Sequence, residues 1–458
     1  MHWDVLIIGA GQTGAPLAAR LAETGRRVLL VERQHVGGTC VNYGCTPTKT
    51  MVASARAAHV ARTAARLGVR TGDVAIDFGA IVARKNALVQ QWRSSVHDRL
   101  KRAGERLVLM QGHGRFVGER AVQVDGGTHS AEVIVVNTGV RAAEPAIDGL
   151  ADVAWLDNAR IMELDELPHH LIVIGGGFIG CEFAQMFRRF ACDVTIIDPA
   201  DHLLGSEDEA VSCALEEVFR REGIQLLLGK GVTSIEAQGG SVRATIDGGQ
   251  TISGTHILVA AGRTPNSDDL GCDRAGIDLD ERGFVVTDDD YSTTAAGVFA
   301  TGDVTGGPQF THTAWDDHRL LFDIITQAAT RSRSGRIVPH VTYTDPQVAG
   351  VGLTEREAIA RGMAYELASL PFGRIARAIE TDETAGVVRI LVDPSNERIL
   401  GASIVGAEAG ELIHIVQALM LAAAPARVLV AGQIAHPAFA EGVQSALMQL
   451  ERFSFVAD

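Results

Sequence analysis

A strand, a glycine-rich turn, a helix and a second strand occur twice in this chain, and this repeat limits the folds that it can adopt. The first copy comprises DVLIIGAGQTG (residues 4–14), the helix-forming APLAARLAETG and the apolar RRVLLVE, which ends at Glu32. The second comprises LIVIGGGFIG (171–180), CEFAQMFRRF and CDVTIID, which ends at Asp198. Apolar strands separated by helices predict parallel sheets, so we expect an α/β protein with two Rossmann-like dinucleotide-binding units.

The glycines of the first copy have the spacing GxGxxG, and an acid follows 18 residues after the last of them. Gly9 permits the tight turn, Gly11 lets backbone approach a pyrophosphate, and Gly14 allows close packing of helix on strand. Glu32 stands where a carboxylate accepts hydrogen bonds from ribose hydroxyls. A lone GxGxxG is also compatible with an ordinary turn in an α/β sheet, but the flanking strand, helix and acid argue against that alternative.

The second copy repeats this pattern with Gly175, Gly177, Gly180 and, at the same offset of 18 residues, Asp198. A carboxylate repels the 2′-phosphate of NADP, which normally binds an arginine, and residues 199–208 contain no Lys or Arg. We therefore expect NAD(H) as the second dinucleotide. The alternative interpretation of Asp198 is a solvated strand end.

The charge balance argues against two classes of partner. Lys and Arg number 41 and Asp and Glu number 56, which gives a net charge of −15 and makes nucleic acid or an anionic membrane an unsuitable main partner. No apolar run reaches the roughly 18 residues of a membrane helix, and no basic region precedes the first apolar stretch. These observations predict a soluble, cytoplasmic protein.

Two of the six cysteines, Cys40 and Cys45, lie close together in GGTCVNYGCTPTK, ahead of a helix-forming segment. Residues five apart on one helix point about 140° away from each other, so we expect Cys40 in an irregular turn before the helix. Cys45 is expected at the helix N-terminus, where a thiolate is stabilised, and such a pair suits redox chemistry. Two buried free thiols or half of a zinc site are the alternatives. No second Cys/His pair has ligand spacing, so no metal site is predicted.

The sequence pattern of strands and helices changes after residue 265. RSRSGRIVPH (331–340) is basic, rich in serine and closed by proline, and it predicts a linker. Beyond it, the alternating segments GVVRILVD and RILGASIVG predict strands, and GELIHIVQALMLAAA predicts an apolar helix. We expect a separate α+β domain at the C-terminus.

Seven motifs, in order, resemble the flavoprotein pyridine nucleotide-disulfide oxidoreductases, the family of dihydrolipoamide dehydrogenase, glutathione reductase and mercuric reductase. They are GAGQTG with Glu32, GGTCVNYGCTPTK (37–49), GGGFIGCE (175–182), AAGRTPN (260–266), VFATGD (298–303), TDPQVAGVGLTE (344–355) and HPAFAE (436–441). The resemblance covers essentially the whole chain. It implies an FAD-binding domain with a redox disulfide at 1–148, an NAD-binding domain at 149–266, a segment at 267–336 that completes the FAD domain, and a C-terminal domain at 337–458 that forms a homodimer.

The resemblance also implies roles for single residues. The positions expected to contact flavin are Thr39, Lys49, Gly114, Thr138, Gly139 and Asp303. Those on the nicotinamide side are Val232 and Arg263, and Gly262 is a further expected cofactor-binding position. Lys49 is expected to pair with Glu182 and to stabilise charge on the reduced ring. His436 and Glu441 resemble the family's acid-base pair, which reaches the disulfide of the other subunit.

The implied reaction moves electrons between NADH and the Cys40–Cys45 disulfide by way of FAD, with Cys45 nearer the flavin and Cys40 meeting substrate. No cysteine follows Cys272, so the C-terminal cysteine pair of authentic mercuric reductases is missing. A dihydrolipoamide dehydrogenase type is expected, with a small dithiol or a lipoyl carrier protein as substrate. Alternatives are the reduction of a metal ion, of another small oxidant or of another disulfide. A non-catalytic flavin-binding protein is a further alternative, opposed by the retention of all six expected catalytic residues.

Overall fold

The computed structural model describes residues 1–328 and 331–454 of the chain. The chain divides into two compact units, and each unit is assembled from three separate segments. The first unit comprises Met1–Thr50, Val82–Ala143 and Gly262–Arg336. The second unit comprises Met51–Ile81, Glu144–Ala261 and Ile337–Asp458.

The strands and helices are numbered in chain order. The strands are β1 (His2–Ile8), β2 (Val28–Glu32), β3 (Leu107–Gln111), β4 (Arg115–Gly118), β5 (Ala121–Val124), β6 (Gly127–Val136), β7 (Val140–Ala142), β8 (His170–Ile174), β9 (Asp193–Asp198), β10 (Gln225–Leu228), β11 (Val232–Gln238), β12 (Ser241–Ile246), β13 (Thr251–Gly254), β14 (His256–Val259), β15 (Arg263–Pro265), β16 (Val298–Ala300), β17 (Pro339–Thr342), β18 (Gln347–Gly352), β19 (Glu366–Pro371), β20 (Val387–Val392) and β21 (Ile399–Gly406). The helices are α1 (Gly14–Glu23), α2 (Gly38–Asn42), α3 (Cys45–Thr63), α4 (Phe78–Arg102), α5 (Phe178–Arg189), α6 (Glu209–Arg221), α7 (Cys272–Ala275), α8 (Thr311–Ile325), α9 (Glu355–Ala360), α10 (Ala376–Glu380), α11 (Ala409–Leu421), α12 (Arg427–Val430) and α13 (Glu441–Leu447). Single 3₁₀ turns lie at Ala64–Leu67, Leu150–Asp152, Arg160–Glu163, Gly302–Thr305, Phe372–Arg374 and Glu451–Phe453.

The first unit is built on a sheet with the strand order β3-β2-β1-β6-β5-β4, and β16 also pairs with β6. The strands β1, β2, β3, β6 and β16 run parallel, as the first copy of the repeat predicts. Successive side chains of β1 enter two different cores: Leu6 and Ile8 lie in one, and Val5 and Ile7 lie in the other. Both faces of this strand are therefore covered, which explains why its sequence is a continuous apolar run.

The second copy of the repeat forms a parallel sheet with the order β10-β9-β8-β14 in the second unit. The central strand β8 leads through a glycine turn into α5 and then to its neighbour β9, as β1 leads through α1 to β2. An antiparallel three-stranded sheet, β11-β12-β13, follows β10 along the chain. The strand, turn, helix and strand expected in both copies are confirmed.

The C-terminal part of the second unit contains an antiparallel sheet with the order β17-β18-β21-β20-β19. Its buried face packs in one core with side chains of α11 and α13, among them Leu412, Ile413 and Val443. The two strands and the apolar helix predicted for this region are confirmed as β20, β21 and α11.

The borders of the two units fall near the borders predicted from the sequence, at residues 144, 262 and 337. Residues 51–81 belong to the second unit, whereas the sequence-based division includes them in the domain at 1–148. That division stays a prediction, and the last four residues of its C-terminal domain lie outside the described residues. Within 1–328 and 331–454, no helix has the length and apolar character needed to cross a membrane.

Candidate functional site

The first glycine turn connects β1 to α1 and leaves no room for side chains at two of its glycines. Gly9 has a φ of +104°, and a Cβ atom there would lie 2.2 Å from the carbonyl oxygen of Asn137. A Cβ on Gly14 would lie 1.9 Å from the carbonyl oxygen of Gly9. Glycine is therefore required for the left-handed turn at Gly9 and for the close approach of α1 at Gly14.

Asn137, which follows β6, holds this turn and was not singled out from the sequence. Its side chain is buried; its Oδ1 accepts the Gly14 N–H at 2.9 Å, and its Nδ2 donates to the carbonyl of Thr301 at 3.0 Å. A Cβ on Gly11 would lie 3.0 Å from the same Oδ1. Asparagine has an acceptor and donors on one short side chain, so it can tie α1 to the end of β16. Asparagine after a strand is too common for the sequence to reveal this role.

Glu32 ends β2 beside the turn. One carboxylate oxygen accepts the N–H of Ala10 at 2.9 Å, and the other accepts the N–H of Gln34 at 2.8 Å. These two bonds fix the carboxylate against the glycine turn. That is where an acid must lie to bind the ribose of a dinucleotide whose pyrophosphate approaches the N-terminus of α1.

The second glycine turn, between β8 and α5, has the same construction. Gly175 has a φ of +106°, and a Cβ on Gly180 would lie 1.9 Å from the carbonyl oxygen of Gly175. A Cβ on Gly177 would meet nothing within 4 Å. Asp198 accepts the N–H of Gly176 at 2.5 Å and the N–H of Ala200 at 2.7 Å. The residues of both turns therefore fit a dinucleotide.

This construction predicts different effects for two alanine substitutions in one turn. Gly180→Ala should destabilise the protein by about 1–3 kcal/mol, because its methyl group overlaps the Gly175 carbonyl. Gly177→Ala should leave stability unchanged and weaken NADH binding, because its methyl group projects into the space that a pyrophosphate needs. Thermal unfolding and NADH titration of both variants measure the two effects. Equal unfolding temperatures for the two variants would contradict the packing role of Gly180.

The sheet also brings Lys230 to Asp198. The N–H of Lys230 donates to the carbonyl oxygen of Asp198 at 3.0 Å, because this residue follows β10, which pairs with β9. Lys230 lies outside residues 199–208, so the sequence that directly follows Asp198 does not reveal it.

Asp303, Arg263 and Thr138, three of the residues expected to contact a cofactor, all belong to the first unit. Arg263 was expected on the nicotinamide side, and its guanidinium lies 3.5 Å from the carboxylate of Asp303. Burial raises the pKa of Asp303, and the charge of Arg263 opposes that rise. The hydroxyl of Thr138 is buried without a hydrogen-bond partner, although the backbone carbonyl of this residue accepts the side-chain N–H of Asn266 at 2.9 Å. A buried donor of this kind fits a bound polar group such as a flavin.

The remaining expected cofactor positions are distributed over both units. Thr39 lies in α2, Gly114 precedes β4, and Gly139 accepts the N–H of Asn266 at 2.9 Å through its carbonyl. Gly262 has a φ of +127° and also belongs to the first unit, whereas Val232 begins β11 in the second unit. Their contacts with a cofactor stay predictions.

Cys40 and Cys45 lie on two different helices. Cys45 is the first residue of α3, as predicted, but Cys40 lies within the short helix α2 rather than in an irregular turn. The break falls at Tyr43 and Gly44, where a Cβ on Gly44 would lie 2.9 Å from the carbonyl oxygen of Thr39. Glycine at position 44 therefore permits the close approach of the chain to the Thr39 carbonyl between the two helices.

A hydrogen bond joins the two thiols. The hydrogen bond with Cys45 raises the pKa of Cys40 well above its usual value, and burial and the charge of Cys45 add to this rise. Thr311, which begins α8, lies 3.1 Å from Cys45 Sγ and was not singled out from the sequence.

Two cations act on this pair. Lys49 lowers the pKa of Cys40, and it follows Cys45 by one turn of α3. Burial lowers the pKa of Arg263, and the charges of Asp303 and Cys45 oppose this change. Cys40 is partly buried and Cys45 is exposed, and their division of roles stays a prediction.

Glu182 lies on α5 in the second unit and is buried. One of its carboxylate oxygens accepts the N–H of Tyr343 at 2.8 Å. The predicted pairing of Glu182 with Lys49 joins residues of the two units and stays a prediction.

His436 and Glu441 form a hydrogen-bonded pair at the start of α13. His436 Nδ1 lies 2.9 and 3.2 Å from the two carboxylate oxygens of Glu441. The N–H of Ala438 donates to the same carboxylate at 2.9 Å and, with His436, lowers the pKa of Glu441. The hydrogen bond and charge of Glu441 raise the pKa of His436. Because the carboxylate holds the proton on Nδ1, Nε2 is left to exchange protons with a substrate, and 68% of the histidine side chain is exposed.

Glu441→Gln should lower the pKa of His436 towards its ordinary value, because the substitution removes the negative charge that stabilises the imidazolium. NMR titration of the ring protons measures this change. The conservative variant Glu441→Asp should retain part of the elevation. An unchanged pKa in Glu441→Gln would contradict the pairing.

Profiles of known protein families match most of the chain. The family profile described as pyridine nucleotide-disulphide oxidoreductase matches residues 3–317, and the profile of its dimerisation domain matches residues 338–447. A mercuric reductase of Staphylococcus aureus is 33% identical over 416 residues, which cover 90% of this chain and 76% of that protein. A probable pyridine nucleotide-disulfide oxidoreductase, RclA of Escherichia coli strain K12, is 33% identical over 449 residues, or 96% of this chain and 98% of that protein. A dihydrolipoyl dehydrogenase of Thermus scotoductus is 31% identical over 456 residues, or 98% of each.

Solved structures give the same result. The Cu(II) complex of HOCl-induced flavoprotein disulfide reductase RclA from Escherichia coli matches with a TM-score of 0.90 and 32% identity, and the match covers 100% of both chains. LpdA from Mycobacterium tuberculosis matches with a TM-score of 0.87 and 27% identity over 97% of this chain and 99% of that one. These matches confirm the predicted α/β fold class and the cofactors FAD and NAD(P)H, and the chain therefore belongs to the pyridine nucleotide-disulphide oxidoreductase family.

Proposed function

We propose that this flavoenzyme transfers electrons between dihydrolipoyl thiols and NAD⁺, with a small dithiol or a lipoyl carrier protein as substrate. The observation that carries the proposal is the exposed His436–Glu441 pair. Oxidation of a dithiol requires the removal of two protons near neutral pH, and a histidine oriented by a carboxylate suits this task. Reduction of a metal ion needs no base to deprotonate its substrate, so that reaction would not explain the presence of the His436–Glu441 pair.

The protein's own residues perform the thiol chemistry in two exchanges. His436 accepts a proton from one substrate thiol, and the resulting thiolate attacks Cys40 Sγ; this forms a mixed disulfide and breaks the Cys40–Cys45 bond. The second substrate thiolate then attacks the substrate sulfur of the mixed disulfide, which releases Cys40 and closes the substrate disulfide. The substrate loses two electrons and two protons: the cysteine pair gains the two electrons, His436 holds the first proton, and the second proton passes to the Cys40 sulfur as it leaves the mixed disulfide. Bound FAD supplies the two-electron link between this dithiol and NAD⁺.

The test is the NAD⁺-dependent oxidation of free dihydrolipoamide by the purified, FAD-loaded protein, with flavin reduction by NADH measured in the same preparation. Rapid turnover is the expected result. Normal flavin reduction without dihydrolipoamide turnover would reject the proposed substrate class while leaving the redox centre intact.

Metal-ion reduction is the second candidate function. It is favoured by the similarity over the full chain to RclA, one of whose structures is a Cu(II) complex, and by the similarity to mercuric reductases. The absence of any cysteine after Cys272 disfavours mercuric ion as the substrate. Copper(II)-dependent NADH oxidation, measured beside the dihydrolipoamide assay, distinguishes the two candidates.

NADH is expected to be the preferred nucleotide. The negative charges of a 2′-phosphate and of the Asp198 carboxylate repel each other, which weakens the binding of NADPH. The value of kcat/KM for NADPH should therefore be lower than that for NADH by about tenfold or more. Steady-state rates with both nucleotides measure this ratio, and Lys230→Ala tests whether the neighbouring lysine compensates. Equal rates with NADH and NADPH would contradict this interpretation of Asp198.

We also propose that two copies of the chain form the active enzyme and that it works in the cytoplasm. The match to a dimerisation domain supports the homodimer. Six cysteines in 458 residues are too few for the disulfide framework of an exported protein, which supports the location. Light scattering after size exclusion and cell fractionation test the two statements.

A further inference from the structure

We propose that His202, Glu209 and Cys213 form a binding site for a divalent transition-metal ion, with Zn²⁺ as the preferred example. Each residue offers one ligand atom, and these three atoms lie within 4.8 Å of one another. The cluster lies in the second unit, where the loop after β9 meets the first turns of α6. None of its residues takes part in the proposed redox reaction. The proposal of a metal site therefore does not depend on which electron acceptor the enzyme uses.

Local structure brings the three residues together. Glu209 is the first residue of α6, and Cys213 follows it by four positions, so both side chains lie on one face of the helix. The loop carrying His202 is fixed because the N–H of Leu204 donates to the carbonyl of Gly176 at 2.9 Å, and the N–H of Glu207 donates to the carbonyl of Leu204 at 2.7 Å.

A buried carboxylate orients the histidine. His202 Nδ1 lies 3.2 Å from Oε1 of Glu216, which is 3% exposed. The same oxygen accepts the N–H of Leu203 at 3.1 Å, and Oε2 accepts a bond from Arg220 at 3.1 Å. The carboxylate only accepts hydrogen bonds, so Nδ1 carries the proton. The lone pair therefore lies on Nε2, which is 3.9 Å from Glu209 Oε1. A carboxylate behind a histidine is the usual second shell of a metal site.

The three ligand atoms determine which kind of metal ion the site can bind. One imidazole nitrogen, one carboxylate oxygen and one thiolate sulfur suit Zn²⁺, and three protein ligands leave a fourth position for water. The carboxylates of Glu209 and Glu216 both lie beside His202 in this cluster. The same carboxylates favour a cation. Binding replaces the thiol proton with the ion and releases one proton, and the charges of Glu209 and the Cys213 thiolate then balance the ion.

The test is equilibrium dialysis of the FAD-loaded enzyme against Zn²⁺, with bound zinc measured by elemental analysis. The enzyme is first oxidised, so that a Cys40–Cys45 disulfide cannot bind the ion. One zinc ion per chain is expected. Cys213→Ser and Glu209→Gln should weaken binding by about tenfold or more. Glu217→Gln is the matched control: Glu217 lies on the same helix with a side chain 74% exposed, against 79% for Glu209, and this variant should bind zinc as the wild type does.

Cobalt(II) provides a second readout. The wild type should show a thiolate-to-cobalt charge-transfer band in the difference spectrum, and Cys213→Ser should lose it. Three results would each overturn the proposal: no bound zinc in the oxidised wild type, an undiminished band in Cys213→Ser, or equal losses of affinity in Glu209→Gln and Glu217→Gln.

Discussion

Replacement of Cys45 by serine is expected to abolish thiol and disulfide turnover and to leave FAD bound. The serine hydroxyl can keep the contact with Thr311, which lies 3.1 Å from Cys45 Sγ, so the local structure should persist. Without Cys45 no disulfide can form, and the pair can no longer store two electrons. We expect the dihydrolipoamide rate to fall by at least about a thousandfold. The flavin spectrum and the steady-state rate of the same sample measure the two effects.

Cys272→Ser is the control for this experiment. Cys272 is buried in the first unit with its Sγ 3.8 Å from the carbonyl oxygen of Ser267, so this substitution changes a thiol outside the proposed redox pair. Its turnover should equal that of the wild type. Unchanged turnover in Cys45→Ser would reject the proposed role of the cysteine pair, and loss of FAD from that variant would show a structural role for the thiol instead.

The second large effect is expected for His436→Gln. Glutamine can still bond to Glu441 but cannot take a proton from a thiol near neutral pH, so dihydrolipoamide oxidation should slow by about 10²–10⁴-fold. Flavin reduction by NADH requires no such proton transfer and should keep its rate. Stopped-flow measurement of each half-reaction separates the two rates.

His414→Gln is the matched control, because His414 is also exposed and also has its Nδ1 bonded to a neighbouring side chain, that of Gln417. This variant should retain full activity. Glu441→Gln connects activity to pH: since Glu441 raises the pKa of His436, its removal should shift the acid limb of the rate profile to lower pH. An acid limb that does not move would assign that titration to another group.

The two dinucleotide-binding units were predictable because their signals are local. A glycine that requires positive φ, such as Gly9, and a strand with apolar residues on both faces are encoded within about 30 residues of sequence. The helix beginning at Cys45 was predictable for the same reason. The position of Cys40 was not, because a five-residue helix ended by Tyr43 and Gly44 has no periodicity long enough to detect.

Contacts between distant segments of the chain could not be predicted from the sequence. Asn137 reaches Gly14 and Thr301, and Thr311 reaches Cys45 across 266 positions, so no local pattern marks either residue. The sequence also does not reveal the cluster at His202, because one of its three side chains is a carboxylate and the spacing of Cys and His residues alone does not mark it. The oriented histidine is recognisable only after Glu216 is found behind it.

The interleaving of the two units also sets the order in which their sheets can be completed during synthesis. The chain of the first sheet leaves the ribosome first, but its strand β16 (Val298–Ala300) emerges only after the whole of the β10-β9-β8-β14 sheet, which ends at Val259. A nascent chain that ends after Val259 and before β16 can complete the later sheet. Its strand β6 still lacks the pairing with β16. The backbone edge of β6 at Ile134–Val136 therefore stays unpaired with β16 until more than 150 further residues have been translated, and unpaired strand edges of this kind make incomplete chains prone to aggregate.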